Sequence, residues 1–549
     1  MSKVVVRRIR RGAGLLFADY RALYARKRPG VHEATGKAAA LAVPRIVMDA
    51  NLHALVLVRA VGAAPPPLRG MAQRLLLAGH GMYVDPRAEI GPGLFMPHPL
   101  MIAVGPGVTI GAGVSVFHNA TVRAALAERE GPHVQDGVRI YTGAALVGAL
   151  TVGAGAVVGA GTTVSTDVPP AGRVVRRHGG PDGGDAALGP GGDAAGATDR
   201  RRPRVSLTTQ LRGDHAMRFG AERQAAAWRL LRDAALDRPF RVATVARLQA
   251  AGPRPLWRLW RRVLLTQGCD IGRDASIGPG LGVPCPLGVV VGRRAVLGAG
   301  VELFEHTTVT PTKMVWEDAP AGRGLEVGDR VRVLPGAGAF GDLTIAPQTA
   351  VAPRALVTRD VAGGRTSEQP ARRARRRDTP TLGLLALIRS DLHRAPGGGR
   401  VRTALGVSFQ AAVLVRLATS RRRLLARVGA AALRTLHHCD VDAHVLIGPG
   451  LLLPLPCGIR IEAGVNVGAA VTIYDRVSLR SDRCLDGLGA APRIADGAVL
   501  GSGAVVIGHG TVAGEIADGA VVAPRRPRDI AAPFSNGSRS GHRRGRTPG

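Results

Sequence analysis

The stretch VRIYTGAALVGALTVGAGAVVGAGTTVSTDVPPAG, residues 138–172, carries an aliphatic side chain at every sixth position: Ile140, Leu146, Val152, Val158 and Val164. A period of six is neither the 3.6 of a helix nor the 2 of an open strand. It suits a chain wound around a triangular prism. Each hexad is then one short strand plus a corner, the aliphatic points inward, and small residues let the chain turn tightly. The same beat precedes this stretch at Val104, Ile110, Val116 and Val134. It returns at Val291, Leu297 and Leu303, then from Val327 to Val357, and again at Ile461, Val467 and Ile473, then from Ile494 to Val512.

Comparing the chain with itself explains the recurrence, because a repeat of this size fixes the architecture before any local assignment does. Three segments share one layout: NLHALVLVRAV before GMYVDPRAEIGPGLFMPHPLMIAVG, PFRVATVARLQ before GCDIGRDASIGPGLGVPCPLGVVVG, and SFQAAVLVRLA before HCDVDAHVLIGPGLLLPLPCGIRIEAG. The helical arginine precedes the isoleucine of IGPG by 31, 30 and 31 residues (Arg59 to Ile90, Arg247 to Ile277, Arg416 to Ile447). Apolar residues at helical spacing in each front half predict a small helical cap. The expected division is a cap plus coil over 1–178, a flexible linker over 179–204, a second cap and coil over 205–361, a basic linker over 362–381, a third cap and coil over 382–524, and a disordered basic tail over 525–549. The Gly-, Pro- and Arg-rich stretches between copies have nothing to bury.

Composition agrees with a lattice of small side chains: 75 Gly, 46% hydrophobic residues, and only 3% aromatics. The formal charge is +34, and of the 74 basic residues only Lys3, Lys27, Lys37 and Lys313 are lysine. No aromatic platforms interleave with the basic runs, so specific nucleic-acid binding is not expected. Five cysteines without zinc-knuckle spacing predict a reduced, cytoplasmic protein and no metal. The basic start lacks the apolar core of a signal peptide, and Arg59 interrupts the best apolar window, so no membrane association is expected.

One interruption stands out. In FMPHPLMIAVG, Phe95 to Gly105, the aliphatic frame Ile90, Met96, Ile102 restarts at Val104, a slip of two residues. The other copies slip in the same place, at Val289 to Val291 and Ile459 to Ile461. A two-residue insertion bulges the coil and turns a side chain outward. In the first copy that side chain is His98.

These residues resemble the hexapeptide-repeat acyltransferases, and serine O-acetyltransferase most closely. The counterparts of that family's motifs are VDPRAEIGPGLFMPHPLMIAVG, VFHNATVRAA, GPHVQDGV and VRIYTGAALVG…VPPAG. The likeness covers nearly all of the first copy and, more faintly, the other two. It implies a mainly β fold of three left-handed parallel β-helix domains with helical caps, folded as an intramolecular pseudo-trimer with active sites in the crevices between prisms. It also implies acetyl-CoA as donor and a small acceptor bearing a hydroxyl or amine.

The resemblance places the catalytic histidine at His98, where the slip falls. A neutral imidazole with a pKa near 6.5 suits proton removal from an attacking hydroxyl. Cys285 and Leu455 occupy the equivalent positions. His133, matched by Glu326 and Arg493, is implied as a second catalytic group, and His118, matched by Glu305 and Asp475, as a substrate contact. The aspartate that orients the catalytic imidazole falls on Tyr83, with Asp270 and Asp440 in that slot elsewhere. Asp85, on the same strand face as Tyr83, is the expected substitute. Asp19 resembles a cap carboxylate that contacts substrate, and Asp391 echoes it. Gly143, Ala144, Gly159 and Ala160 match turns that pass the donor's pantetheine, with Arg173, Arg176 and Arg177 placed to meet its phosphates. Pro97, Pro132 and the Arg123–Ala124 pair replace residues the family uses for serine, so another acceptor is expected.

Each assignment has a plainer alternative. His98 could be a packed loop histidine, Asp19 a solvated helix-face carboxylate, and the glycines only corners of the coil. A non-catalytic scaffold on the same fold, a zinc carbonic anhydrase sharing the prism, and a nucleic-acid binder are the competing functions.

Overall fold

The computed structural model describes residues 14–20, 49–125, 128, 130–175, 206–220, 226–253, 256–311, 324–361, 383–394, 406–482, 490–508 and 510–522. The segments expected as linkers and tail lie outside these. The hexads form two- and three-residue strands, all paired in parallel and gathered into nine sheets among the described residues. Three sheets belong to each of three units, whose strands run from Tyr83 to Val174, Cys269 to Val357, and Asp440 to Val522.

Each strand pairs with the one a full coil later. Ala103 faces Thr121 and Val290 faces Thr308, 18 residues apart. At the slip the step is 20 instead, as Tyr83 faces Ala103, Cys269 faces Val289 and Asp440 faces Arg460. The two inserted residues therefore leave the ladder intact and are absorbed in the loop that carries His98.

All nine aliphatics of the first repeat, Val104 to Val164, are buried in one core. The second and third repeats behave likewise, with Val357 and Val512 only partly covered at the open end of their coils. Burying one such side chain contributes roughly 1.5 to 3 kcal/mol, so the hexad alone can hold the coil closed.

The helices Ala50–Ala63 and Pro66–His80 cap the first unit, four helices between Leu207 and Thr266 precede the second, and Leu384–Arg394, Val407–Ala418 and Arg423–His437 precede the third. The arginine noticed in the sequence ties cap to coil. Arg59 donates to both Asp19 carboxylate oxygens at 2.7 Å and to the carbonyls of Ile90 and Gly91 at 2.6 Å. Arg247 with Asp214 and Arg416 with Asp391 repeat the arrangement on Ile277–Gly278 and Ile447–Gly448. The constant spacing is the chain length needed for that guanidinium to reach the first coil.

No helix among the described residues is long and apolar enough to cross a membrane.

Candidate active site

The loop carrying His98 is pinned through its backbone. Asn51, early in the helix Ala50–Ala63, donates from Nδ2 to the carbonyls of Met96 (2.9 Å) and Pro97 (3.0 Å). His80 Nδ1 donates to the Pro99 carbonyl at 3.0 Å, and the amide of Leu100 to the His98 carbonyl at 2.8 Å. A loop held at four carbonyls presents its side chain in one orientation.

That side chain meets the second unit. His98 Nδ1 lies 2.8 Å from Oδ2 of Asp270, whose side chain is 4% exposed against 34% for the imidazole. Arg261 grips the same carboxylate with Nε on Oδ1 (2.8 Å) and Nη2 on Oδ2 (2.6 Å), and reaches back to Asn51 Oδ1 at 3.3 Å. Burial works to raise the Asp270 carboxyl, but the Arg261 guanidinium, aided by His98, outweighs it and holds it well below the usual carboxylate range. An ionised Asp270 can only accept, so the proton of neutral His98 sits on Nδ1 and Nε2 carries the free lone pair.

His118 stands edge-on to His98, ring centres 5.3 Å apart, with Nε2 2.8 Å from Thr308 Oγ1 of the second unit. Burial first, then the neighbouring His98, push its pKa well below 6.5, so it stays neutral beside the candidate base.

Other expected residues are placed differently. Asp85 does not serve His98: its carboxylate accepts from Arg87 at 3.0 Å and from the Tyr83 hydroxyl at 3.5 Å, and the carboxylate at His98 is Asp270. Two residues along a strand share a face, but here the imidazole extends from its loop across the junction to the second unit. Asp19 is fully buried against Arg59 and the Leu94 amide, so it is closed to a substrate. His133 is an exposed strand residue facing Thr109 and Thr151, and no contact among the described residues joins it to His98. Gly143 and Ala160 do line a cleft between the first and second units. Ala144 faces the prism core instead, and Gly159 packs on the following coil near Val175. Arg173 is exposed on the last coil, and Arg176 lies outside the described residues.

The cleft is lined by Thr142, Gly143 and Ala160 on one side and Thr308, Gly338 and Phe340 on the other, with Arg354 and, from the third unit, Arg476 also at its wall. The equivalent junctions hold arginine side chains. Between the second and third units, Cys285 Sγ is 4.0 Å from Asp440, and Arg480 pairs with Glu305 at 2.6 Å, its guanidinium 4.9 Å from the centre of the Phe304 ring. Between the third and first, Arg123 pairs with Asp518 at 2.6 Å and lies 3.9 Å above the Tyr474 ring. Thr310 is the strand residue in register with Arg123 and Arg480, so the first junction alone lacks the arginine. Burial also pushes the Cys285 thiol far above its ordinary pKa, which leaves it a poor nucleophile.

Asp270, Arg261, Asn51 and Thr308 were missed as site residues. Asp270 stood in the right slot of the alignment, but nothing in one sequence says which unit neighbours which. Among the described residues no three His, Cys, Asp or Glu side chains cluster as a metal site would require.

No family model matches the chain. Among curated proteins it is similar to the serine acetyltransferase of Bacillus licheniformis, 37% identical over 97 residues, which is 17% of this chain and 45% of that protein. It is also similar to the mitochondrial serine acetyltransferase 3 of Arabidopsis thaliana, 38% identical over 104 residues, 18% of this chain and 26% of that protein. Of solved structures, soybean serine acetyltransferase complexed with serine aligns at 28% identity and a TM-score of 0.24, covering 30% of this chain and 66% of that one. A serine acetyltransferase in complex with CoA aligns at 23% identity and a TM-score of 0.23, covering 29% and 64%. The chain thus spans less than half the length of these two curated relatives.

Proposed function

We propose that this chain transfers an acyl group from acetyl-CoA to a small acceptor bearing a hydroxyl or amine, at the junction of its first and second units. The observation that carries this is the pair His98–Asp270, clamped by Arg261 and formed only where the two units meet. His98 Nε2 removes the acceptor's proton as its oxygen or nitrogen attacks the thioester carbonyl. Asp270 holds the Nδ1 proton and stabilises the imidazolium that results. When the C–S bond breaks, Nε2 returns the proton to the departing CoA thiolate. The neutral His118 adds no competing charge. The donor's pantetheine runs along the cleft past Gly143 and Ala160.

The arrangement that goes with this chemistry is three left-handed coils around one axis, with a single working crevice. The arginines at the other two junctions support that reading, since each puts a paired guanidinium where the first junction has Thr310. Pro97 and Pro132 leave serine's family contacts absent, so the acceptor is another small molecule. The four cysteines among the described residues, all buried free thiols, suit a reducing compartment.

The test is CoA release from acetyl-CoA by the full chain against a panel of serine, other amino acids, amines and sugars. His98→Ala is expected to lower turnover by about 10²- to 10⁴-fold. No turnover with any acceptor, together with no acetyl-CoA binding by calorimetry, overturns the proposal.

A further inference from the structure

Where the three units meet, successive coils turn through the left-handed region of the backbone, and the residues at those turns do not match from unit to unit. At the top level the turn residues are Gly81, Gly268 and His438, with φ of 62°, 86° and 48°. At the next they are Met101, Gly288 and Gly458, with φ of 53°, 66° and 69°. At the bottom they are Gly161, Arg354 and Gly519, with φ of 64°, 55° and 68°. Each of these three levels holds two glycines and one large side chain. Between the second and the third of them lie one level of Asn119, His306 and Arg476, with φ of 57°, 58° and 56°, and one of Gly143, Gly336 and Gly503, with φ of 69°, 72° and 68°. The large one comes from the third unit at the top, the first at the next level and the second at the bottom. A large L-residue is disfavoured at such φ values, so these three sit there at a cost.

Contacts show that these side chains occupy shared space. His438 donates from Nε2 to the Ala78 carbonyl of the first unit at 3.1 Å, and a methyl placed on Gly81 would stand 2.6 Å from Met101 Sδ and 3.2 Å from His438 Cγ. Arg354 donates from Nη1 to the Gly503 carbonyl of the third unit at 2.8 Å. A methyl on Gly519 would meet Arg354 Nη2 at 2.5 Å and Cζ at 3.0 Å, with Thr163 Oγ1 of the first unit 3.2 Å away. All three units therefore touch at that one seat.

We infer that these levels are an order code: the axis accepts one of each unit, and a ring of three identical units is excluded. Three copies of the second unit would bring three guanidiniums to a seat that one fills, where like charges repel. Three copies of the third would crowd three histidines into space left by Gly81 and Gly268, and three copies of the first would leave the seats of His438 and Arg354 empty. The partner surface of each unit is thus the other two units of its own chain. The consequence for chemistry is that His98 always faces Asp270, never Tyr83 or Asp440. This rests on the arrangement of units proposed above and extends it.

The test moves the guanidinium one seat around the axis in the full chain and follows the melting temperature by calorimetry. Arg354→Gly and Gly519→Arg are each expected to lower it by several degrees, the first by emptying the seat and the second by crowding it. The double variant is expected to recover more than half of the Gly519→Arg loss. Additive losses in the double variant would overturn the order code. Gly519→Arg with no effect would show that the second and third units do not meet, which sinks the arrangement itself. Acetyl-CoA turnover of His98→Ala decides acyl transfer separately from either result.

Discussion

His98 takes its protonation pattern from a residue 172 positions away in sequence. With Asp270 ionised and accepting from Nδ1, Nε2 is the basic atom. Asp270→Asn keeps the shape but removes the charge that fixes this tautomer and stabilises the imidazolium. It is expected to lower CoA release by about 10²- to 10⁴-fold. Asp85→Asn, whose carboxylate serves Arg87 and Tyr83, should leave turnover unchanged. Steady-state rates of the two variants, with melting curves to confirm folding, check the assignment, and the reverse pattern would refute it. At this scale the sequence was half legible. The two-residue slip marked His98, because an insertion in a six-residue lattice must bulge. Its partner stayed hidden, because a single chain encodes its junctions only through contacts between units. Tyr83, at the first unit's own slot, packs instead against a cluster that includes Leu455, Cys457 and Tyr474 of the third unit.

Between residue and domain, the tie from cap to coil decides stability. Arg59 and Asp19 are almost fully buried, and both guanidinium and carboxylate have further backbone partners, so the pair has no slack. Arg59→Ala leaves Asp19 buried and unpaired, which costs about 3 to 5 kcal/mol. Urea unfolding of the full chain should show that loss, and a change below about 1 kcal/mol would mean the pair is solvated, as surface ion pairs are. The spacing of 31, 30 and 31 residues announced a constraint without naming it. Asp19 and Asp391 were seen in the sequence, and Asp214 was not. Asp19 looked like a substrate contact only because the arginine 40 positions on gave no sign of folding back onto it. The hexads, in contrast, were legible throughout, since a short strand has no other way to hide one aliphatic per six residues.

For the whole molecule, acid is the natural probe, because buried neutral histidines sit at the junctions. His438, which reaches the first unit, is held at about 3 by burial, then by Arg238, with His437 also adjacent. His306, bonded to Gly458 of the third unit, is held at about 4 by burial, then by Arg476, against the opposing pull of Glu305 and Asp475. His80, under the His98 loop, is held at about 3 by burial, then by His53, Arg262 and His438. In the unfolded chain each reverts to about 6.5, so as the pH falls the unfolded state takes up protons first. Their contribution is therefore complete above pH 6.5 and is lost progressively towards pH 4 to 3, at about 1.4 kcal/mol per pH unit for each histidine. The carboxylates Glu305 and Asp475 respond later. Burial raises them, but Arg480 and Arg476 outweigh it and keep both below their ordinary values, so their share of stability survives until the pH falls below about 4. Two stages are expected when melting temperature is followed from pH 7 to pH 3: a first decline beginning near 6.5, then a steeper one in the carboxylate range. A flat profile between pH 7 and 5 would mean that water reaches these histidines and that the junctions between units are open.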